Sequence, residues 1–268
     1  MAASKSTEPR AGYIHGTGAG EQDRLAALNH LTNEQFVGFL DLRSARRILE
    51  VGSGLGILAV RVAEAAPEAI VVGLEQSAEQ LARASPSSRT RFARGDAHQL
   101  PFASRSFDVA YCRYVLEHVA DPGAVLKETR RVLREDGRIF VLENDISAMR
   151  YDPPSAAFDE VWAKFAELQR RIGGDGLIGS RLFRLLRGAG FRDIELSIQP
   201  EVHWVGSPGF EAWIENQIGN IRGAADALCE SDLVSRALIE EAITDLEARR
   251  KRDDASAIFY WNRATGLK

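Results

Sequence analysis

Between residues 46 and 143 the chain alternates short apolar runs with amphipathic stretches. The runs are rich in β-branched residues and are bounded by glycine, proline or charged residues, as is typical of strands buried on both faces. Strands separated by helices in this way predict a doubly wound, mostly parallel α/β sheet. The runs that carry this prediction are residues 47–51, 70–74, 90–93, 107–112 and 138–142.

A helix is predicted over residues 122–133. Asp121 can cap its first turn, Pro122 suits its first position, and Arg130 and Arg131 favour its C-terminal end. After residue 143 the alternation of strands and helices becomes irregular. There the pattern predicts two helices, a strand, a mostly helical region and a last strand, in that order at 158–172, 180–187, 191–198, 208–250 and 257–264.

Composition and charge limit the class of partner. The 268 residues are 45% hydrophobic and 27% charged, and the formal net charge is -4, so no basic excess favours nucleic acid. Cys112 and Cys229 lie far apart, which predicts neither a disulfide framework nor a zinc site. The first ten residues contain no apolar stretch. We therefore expect a cytoplasmic protein, monomeric or homodimeric, with no metal and no membrane partner.

A glycine-rich turn follows the first predicted strand and provides the first chemical signal. Gly52, Gly54 and Gly56 allow the backbone to approach a ligand closely, and Glu50 precedes them. A dinucleotide site uses the spacing G-x-G-x-x-G, but here the third glycine comes one residue early. An acid beside a pyrophosphate is unfavourable, whereas an acid beside a sulfonium or ammonium group is favourable. The turn therefore favours a cationic ligand over a dinucleotide.

The next two strands also end in acidic residues. Glu75 lies about 20 residues after the glycine turn, where a carboxylate can accept hydrogen bonds from both hydroxyls of a ribose. Asp96 follows Gly95 at the end of the third strand, where its carboxylate can accept a hydrogen bond from an adenine amine. The backbone amide of Ala97 can serve a ring nitrogen. Together these residues predict an adenosine site at the carboxyl edge of the sheet.

In this order the segments resemble the class I S-adenosylmethionine-dependent methyltransferases, especially their quinone-biosynthesis-like branch. The resemblance covers residues 46–143 and includes E-V-G-S-G-L-G, G-L-E, G-D-A-H-Q-L-P-F, S-F-D-V-A-Y-C-R-Y-V-L-E-H-V and L-K-E-T-R-R-V-L-R-E-D-G-R-I-F-V-L-E. It implies a Rossmann-like methyltransferase fold, with a mostly parallel sheet of seven strands and a helical cap or insertion. It also implies S-adenosylmethionine as cofactor, S-adenosylhomocysteine as product, and methyl transfer to an oxygen, nitrogen or carbon of a small molecule.

The resemblance also implies roles for individual residues. The glycine turn would hold the methionine part of the cofactor, and the acids after the second and third strands would hold ribose and adenine. Residues ending the fourth strand would border the site of methyl transfer. The implied cofactor contacts are Tyr13, Gly52, Ser53, Gly54, Glu75, Gln76, Asp96, Ala97, Cys112 and Arg113. The candidate acceptor contacts are His15, Arg113 and His203, and His203 is also a candidate general base.

These expectations divide the chain into a core and helical additions. Residues 46–204 and 256–268 would form the α/β core, and residues 151–190 within it would form a lid segment. Residues 205–255 would form a helical insertion that contributes to the acceptor pocket. Residues 1–45 would form an N-terminal helical segment that covers the cofactor.

Two other functions stay open from the sequence alone. An NAD(P)-dependent oxidoreductase would share the glycine turn and the ribose acid, but it would leave Asp96 and Ala97 unexplained. A non-catalytic protein that binds S-adenosylmethionine or S-adenosylhomocysteine as a sensor or scaffold would share the whole adenosine site. Detection of S-adenosylhomocysteine as a product separates this second alternative from an enzyme.

Overall fold

The computed structural model describes residues 32–268. The strands are β1 (Arg47–Val51), β2 (Ile70–Glu75), β3 (Thr90–Arg94), β4 (Phe107–Arg113), β5 (Leu133–Glu143), β6 (Arg150–Asp152), β7 (Arg192–Trp204) and β8 (Ser256–Leu267). The helices are α1 (described over residues 32–39), α2 (Ile57–Ala65), α3 (Ala78–Leu81), α4 (Pro122–Val132), α5 (Ala156–Arg171), α6 (Leu182–Gly188), α7 (Phe210–Glu230) and α8 (Arg236–Arg249).

All eight strands form one sheet. Strands β3, β2, β1, β4 and β5 are parallel in that order, and β8 lies antiparallel beside β5. The outer edge of β8 pairs with β7 along most of its length. The prediction of a doubly wound, mostly parallel sheet is confirmed, but the sheet has one strand more than the seven expected. Because β5 pairs only with the C-terminal half of β8, the N-terminal half has a free edge, to which the short strand β6 adds.

The two faces of the sheet bury two separate hydrophobic clusters. Neighbouring residues of one strand point to opposite faces, so Ile48 belongs to one cluster and Leu49 to the other. Helices α1, α2, α5, α7 and α8 cover the face of Ile48, and α4 and α6 cover the face of Leu49. Helices on both faces explain why the central strands read as continuous apolar runs.

The helix predicted at residue 122 begins as expected. The Asp121 carboxylate accepts a hydrogen bond of 2.9 Å from the Ala124 amide, and Pro122 occupies the first turn of α4. The strand that follows begins earlier than predicted, at Leu133 rather than at residue 138. Leu133 already pairs with Phe107. The pairing then shifts register, so that Val109 pairs with Arg138 and the residues between Leu133 and Arg138 form an irregular part of the strand.

Strand β7 is longer than the predicted strand, and this corrects the position of His203. The prediction ended the strand at residue 198 and placed His203 in the loop after it. In the structure Glu201 and His203 are strand residues with buried side chains, and Val202 and Trp204 between them are exposed. The residues alternate with the period of a strand, but the polar ones are buried and the apolar ones are exposed. This is the reverse of the pattern that predicts a half-buried strand.

Helices α7 and α8 lie between β7 and β8 in the chain and pack on α5 and on each other. They therefore cover one end of the sheet beside the antiparallel strands. Within residues 32–268, no helix combines the length and the apolar character needed to cross a membrane.

Candidate functional site

A cavity of about 910 Å³ lies at the carboxyl ends of the parallel strands. Ligands of open α/β sheets bind at this edge, and the volume lies in the upper part of the range of about 300 to 1,000 Å³ for ligand pockets. Most of the predicted site residues line it. The strand ends contribute Glu50, Gly52, Ser53, Gly54, Glu75, Gln76, Asp96, Ala97 and Arg113 to its surface.

The glycine turn after β1 is built for close backbone approach. Gly52 and Gly54 have φ angles of 73° and 53°, in the left-handed region that favours glycine. The amides of Gly52 and Ser53 donate hydrogen bonds of 2.8 and 2.9 Å to the Leu74 carbonyl. A Cβ atom at Gly52 would lie 2.5 Å from a methyl carbon of Val115. The turn is therefore fixed against β2 and β4, and position 52 has no room for a side chain.

Glu75 ties the glycine turn to the end of β2. Its Oε2 accepts a hydrogen bond of 2.9 Å from the Gly54 amide, and its Oε1 accepts one of 2.8 Å from the Ser77 amide. A carboxylate has about four acceptor positions, so each oxygen can accept one more hydrogen bond. Because Glu75 lines the cavity, these positions are available to a pair of hydroxyl groups.

Asp96 marks the end of β3 on the same edge. Its Oδ1 accepts a hydrogen bond of 2.9 Å from the His98 amide and lies 2.7 Å from His98 Nδ1. Gln76 and Arg94 also line this part of the cavity, and Arg94 Nε donates a 3.2 Å bond to the Gln76 carbonyl. The three acidic strand ends predicted from sequence thus surround one space.

Glu50 is a buried acid at the end of β1. Burial raises the pKa of its carboxyl to about 8, although the neighbouring Arg113 guanidinium opposes this shift. Among the described residues, Glu50 Oε2 and Ser53 Oγ are buried without a hydrogen-bond partner. Two such orphaned acceptors beside a cavity are suited to a ligand that brings hydrogen-bond donors or positive charge.

Arg113 lines the cavity, but its guanidinium is held by the N-terminal part of the described chain. It donates hydrogen bonds of 3.1 Å to Thr32 Oγ1 and 2.8 Å to Asn33 Oδ1. It also lies over the rings of Phe36 and Tyr114, at 5.4 and 5.3 Å from their centroids. Arg113 therefore anchors α1 to the end of β4.

The other side of the cavity comes from α5, α7 and β8. Trp162 and Phe165 of α5 stack with centroids 5.1 Å apart, and the Trp162 indole donates a 2.9 Å hydrogen bond to the Ile146 carbonyl. Six side chains on this side of the cavity form a surface that we call the aromatic–amide wall. Its members are Trp162, Gln169, Trp213, Gln217, Asn220 and Trp261.

Glu117 links the strand ends to this wall. It is buried and lines the cavity, and its two oxygens accept hydrogen bonds of 2.6 Å from Asn144 Nδ2 and 3.1 Å from Gln169 Nε2. Glu143 holds the turn that carries it, accepting bonds of 2.9 and 2.8 Å from the Val115 and Leu116 amides. Burial, reinforced by the Glu117 charge, raises the pKa of Glu143 to about 8.

Two of the predicted site residues lie outside this cavity. Cys112 is buried on the Leu49 face of the sheet, and burial raises the pKa of its thiol well above the usual value. His203 stacks on Trp213 with ring centroids 4.9 Å apart, and its Nε2 lies 3.4 Å from Glu201 Oε2. His203 thus reaches the cavity only through Trp213. Tyr13 and His15 lie outside the described residues.

Several cavity residues were missed by the sequence analysis. Trp162, Trp213 and His118 were not among the predicted site residues, but all three line the cavity. The amide side chains of α7 were not singled out either, although residues 216, 217 and 220 are spaced to lie on one face of a helix. Tyr114 has a φ angle of 57°, which is rare for a large side chain and occurs at functional sites. Further polar lining residues that were missed include Glu117, Asn144, Gln169, Asn216, Gln217 and Asn220.

Comparison with known proteins assigns the family. The family described as "Methyltransferase domain" matches residues 49–141. The demethylmenaquinone methyltransferase of Deinococcus radiodurans is 32% identical over 173 residues, which cover 56% of this chain and 69% of that protein. The chain belongs to the class I S-adenosylmethionine-dependent methyltransferases. Within them it falls in the quinone-biosynthesis-like branch, as the resemblance implied.

A second curated relative carries a name that states a different acceptor, and a solved structure shows the same fold. The 27-O-demethylrifamycin SV methyltransferase of Amycolatopsis mediterranei is 34% identical over 127 residues, which cover 44% of this chain and 46% of that protein. The YcgJ protein of Bacillus subtilis has the same fold, with a TM-score of 0.57, 20% identity and coverage of 89% of this chain and 98% of that one. The chain spans about half the length of several curated relatives, at 45%, 47% and 46%.

The cofactor of this family, S-adenosylmethionine, fits the residues present. Glu50 Oε2 is a buried carboxyl oxygen without a hydrogen-bond partner, suited to a sulfonium or ammonium group that displaces its proton. The glycine turn has no Cβ atoms at positions 52 and 54 to keep the ligand away from the backbone. Glu75 and Asp96 offer acceptors for hydroxyl and amine groups on the same cavity. Among residues 32–268, no cluster of three His, Cys, Asp or Glu side chains could hold a metal ion.

Proposed function

We propose that this protein transfers the methyl group of S-adenosylmethionine to an oxygen, nitrogen or carbon of a small-molecule acceptor. One observation carries the proposal: a single cavity joins the acidic strand ends to the aromatic–amide wall. A site for the cofactor alone needs only the strand ends. The additional space beside the wall supports a second molecule, placed next to the first.

The cofactor would lie across the strand ends in the order that the motifs imply. Glu75 would accept hydrogen bonds from the ribose hydroxyls, and Gln76, Asp96 and Ala97 would face the adenine. The turn from Gly52 to Gly54, with Ser53, would hold the methionine part. S-adenosylmethionine supplies an electrophilic methyl group on a sulfonium. Arg113 and Cys112 would stabilise the end of β4 below the reacting atoms, Arg113 from the cavity surface and Cys112 from the core.

The task of the protein is then alignment and exclusion of water. When the acceptor atom is already nucleophilic, placing it in line with the methyl group supplies much of the rate. The aromatic–amide wall would hold the acceptor in that position and would keep solvent out. For acceptors that must lose a proton, the buried carboxylate of Glu117 lines the same space.

The division of the chain follows from this arrangement. We propose that residues 46–204 and 256–268 act as the catalytic core, with residues 151–190 as a lid segment and residues 205–255 as the insertion that shapes the acceptor pocket. Trp162 and Gln169 from the lid segment, and Trp213 and Gln217 from the insertion, support this division because they form the aromatic–amide wall. The cytoplasmic location and the N-terminal segment over the cofactor stay predictions of the sequence.

Calorimetric titration with S-adenosylhomocysteine and with NAD tests the cofactor site. We expect the first ligand alone to bind, and Glu75→Ala to weaken it about tenfold to a hundredfold, as is typical when hydrogen bonds to a charged group are lost. Glu230→Ala is the matched control, because Glu230 is exposed and does not line the cavity. Binding of NAD, or unchanged affinity in Glu75→Ala, contradicts the proposal.

A non-catalytic role as a sensor predicts cofactor binding without turnover. The extra space beside the aromatic–amide wall favours an enzyme over a sensor, since a sensor has no need of an acceptor site. A screen of acceptors that detects released S-adenosylhomocysteine distinguishes the two. Turnover with any acceptor that is abolished in Glu75→Ala excludes the purely sensory role.

A further inference from the structure

One face of helix α7 carries polar residues where an amphipathic helix normally carries apolar ones. Trp213, Asn216, Gln217 and Asn220 occupy positions i, i+3, i+4 and i+7, and all four line the cavity. The neighbouring stripe of the same helix, which includes Ile214, is apolar and buried in the core. The amides are therefore confined to the side that faces the cavity.

Among these amides, Gln217 is poorly satisfied within the described part of the protein. Gln217 is 3% exposed. Its side chain makes one long hydrogen bond among the described residues, in which Asn220 Nδ2 donates to Gln217 Oε1 over 3.5 Å. A buried amide with a single bond of this length leaves most of its hydrogen-bonding capacity unused, which is costly unless a ligand or water completes it.

The unused groups of this amide pair define a partner. Gln217 retains an N–H donor and Asn220 retains a carbonyl acceptor, and reversing both amides leaves the same combination. A hydroxyl group both donates and accepts, so it can bind across the pair. A phosphate or carboxylate only accepts, so it would leave the Asn220 carbonyl without a donor. An ammonium only donates, so it would leave the Gln217 N–H groups without an acceptor.

The charged residues of the cavity point to the same class of ligand. Among the described lining residues, the only Lys or Arg side chains are Arg94, at the adenosine end, and Arg113, which already donates to Thr32 and Asn33. Within residues 32–268, no further Lys or Arg side chain is thus available to hold an anion against α7. Glu117, a cavity-lining acid that is hydrogen-bonded to the aromatic–amide wall through Gln169, accepts an amide donor at each of its oxygens.

We propose that the acceptor is an uncharged, hydroxyl-bearing molecule whose hydroxyl groups bind the Gln217–Asn220 pair while its apolar part lies against the tryptophans of the wall. This inference rests on the proposed function and names the class of acceptor for the same site. Trp162, Trp213 and Trp261 line the cavity but are only 8%, 1% and 5% exposed, so they supply an apolar boundary rather than an open stacking face. The amide pair selects by hydrogen bonding, and a site built in this way discriminates strongly against a ligand that lacks the group.

Saturation-transfer NMR on the protein loaded with S-adenosylhomocysteine tests the proposal with three probes that share one aromatic ring. They are para-nitrophenyl glucoside, para-nitrophenyl phosphate and para-nitrophenethylamine, which are neutral, anionic and cationic. We expect the glucoside to bind at least about fivefold more tightly than the other two. Gln217→Leu and Asn220→Leu should each weaken it by up to about tenfold, as expected for the loss of one net hydrogen bond. Glu230→Leu, at the exposed end of the same helix, should leave it unchanged.

The outcomes separate this inference from the proposed function. Retained affinity for S-adenosylhomocysteine in both leucine variants shows that they fold and that the cofactor site is intact. Preferential binding of the phosphate or the amine, no binding of the glucoside, or affinity for the glucoside that is unchanged from the wild type in both leucine variants overturns the inference and leaves the proposed function standing. Failure of the wild type to bind S-adenosylhomocysteine overturns the proposed function and this inference together.

Discussion

The two ends of the cavity are built by different means. At the strand ends, backbone amides and short motifs do most of the positioning, as where the Gly54 and Ser77 amides fix the Glu75 carboxylate. At the aromatic–amide wall, side chains from α5, α7 and β8 meet across large distances in sequence. The first end is specified locally and the second only by the folded chain, which allows the acceptor site to vary while the cofactor site is kept.

The largest effect is expected from a change in the glycine turn. Gly52→Val introduces a branched side chain at a φ of 73°, where even a Cβ atom would lie 2.5 Å from Val115. We expect the affinity for S-adenosylhomocysteine to fall by more than about a hundredfold and the free energy of unfolding to fall by about 1–3 kcal/mol. Calorimetry and urea denaturation measure the two effects.

Gly188→Ala is the control for this change. A Cβ atom at Gly188 meets nothing within 4 Å, and its φ is not in the left-handed region. Affinity and stability should therefore stay close to those of the wild type. Near-normal cofactor affinity in Gly52→Val would mean that the turn is only a connection between β1 and α2.

The next effect concerns the charge on Glu50. Burial holds the pKa of this carboxyl near 8 without ligand, so below that pH a cationic ligand must displace its proton. The affinity for S-adenosylmethionine should then rise by up to about tenfold per pH unit between pH 6 and about pH 8, and level off above it. Titrations in buffers of different ionisation enthalpy should detect the released proton.

Glu50→Gln should abolish both the slope and the proton release. S-adenosylhomocysteine, which lacks the sulfonium charge, shows which cationic group lies beside Glu50. If the affinity depends on pH for S-adenosylmethionine alone, Glu50 faces the sulfonium. If it depends on pH for both ligands, Glu50 faces the ammonium group. A pH-independent affinity of the wild type for both ligands is incompatible with a cation beside Glu50.

The same shift makes the ligand-free protein less stable at high pH. The folded protein keeps the Glu50 proton up to about pH 8, whereas the unfolded chain loses it near its ordinary pKa of 4.5. The folded state therefore binds more protons between these values, and the free energy of unfolding falls as the pH rises through that window. Glu143 contributes in the same direction, so the informative quantity is the difference between wild type and Glu50→Gln. If that difference does not change with pH, the raised pKa of Glu50 is contradicted.

The contrast between the two ends also explains what the sequence can predict. The strands β1 to β4, the cap at Asp121 and the acidic strand ends are encoded by short segments, and all were predicted close to their observed positions. The end of β7 was missed because its buried face carries Gln199, Glu201 and His203. The aromatic–amide wall was missed because nothing local distinguishes an indole that lines a cavity from one that fills a core.

A smaller effect is expected behind the aromatic–amide wall. Glu201 is buried, and its Oε1 accepts hydrogen bonds of 2.9 Å from the Trp261 indole and 3.3 Å from Gln199 Nε2. Trp261→Phe removes the shorter bond and should lower the free energy of unfolding by about 1–3 kcal/mol. Affinity for S-adenosylhomocysteine should be unchanged, because the strand ends are untouched. Trp204→Phe, at an exposed tryptophan of β7, should alter neither quantity.

The smallest effect is expected at His203, whose role as a general base stays a prediction from the sequence. Its imidazole stacks on Trp213 and does not line the cavity, so a positioning role through the indole is favoured. His203→Phe keeps a flat ring against Trp213 and should change kcat/KM by less than about threefold, without altering the pH profile. His203→Ala removes the ring and should raise KM for the acceptor more than it lowers kcat. A loss of kcat of about a hundredfold or more in His203→Phe, with loss of the acidic limb of the pH profile, would instead identify His203 as the general base.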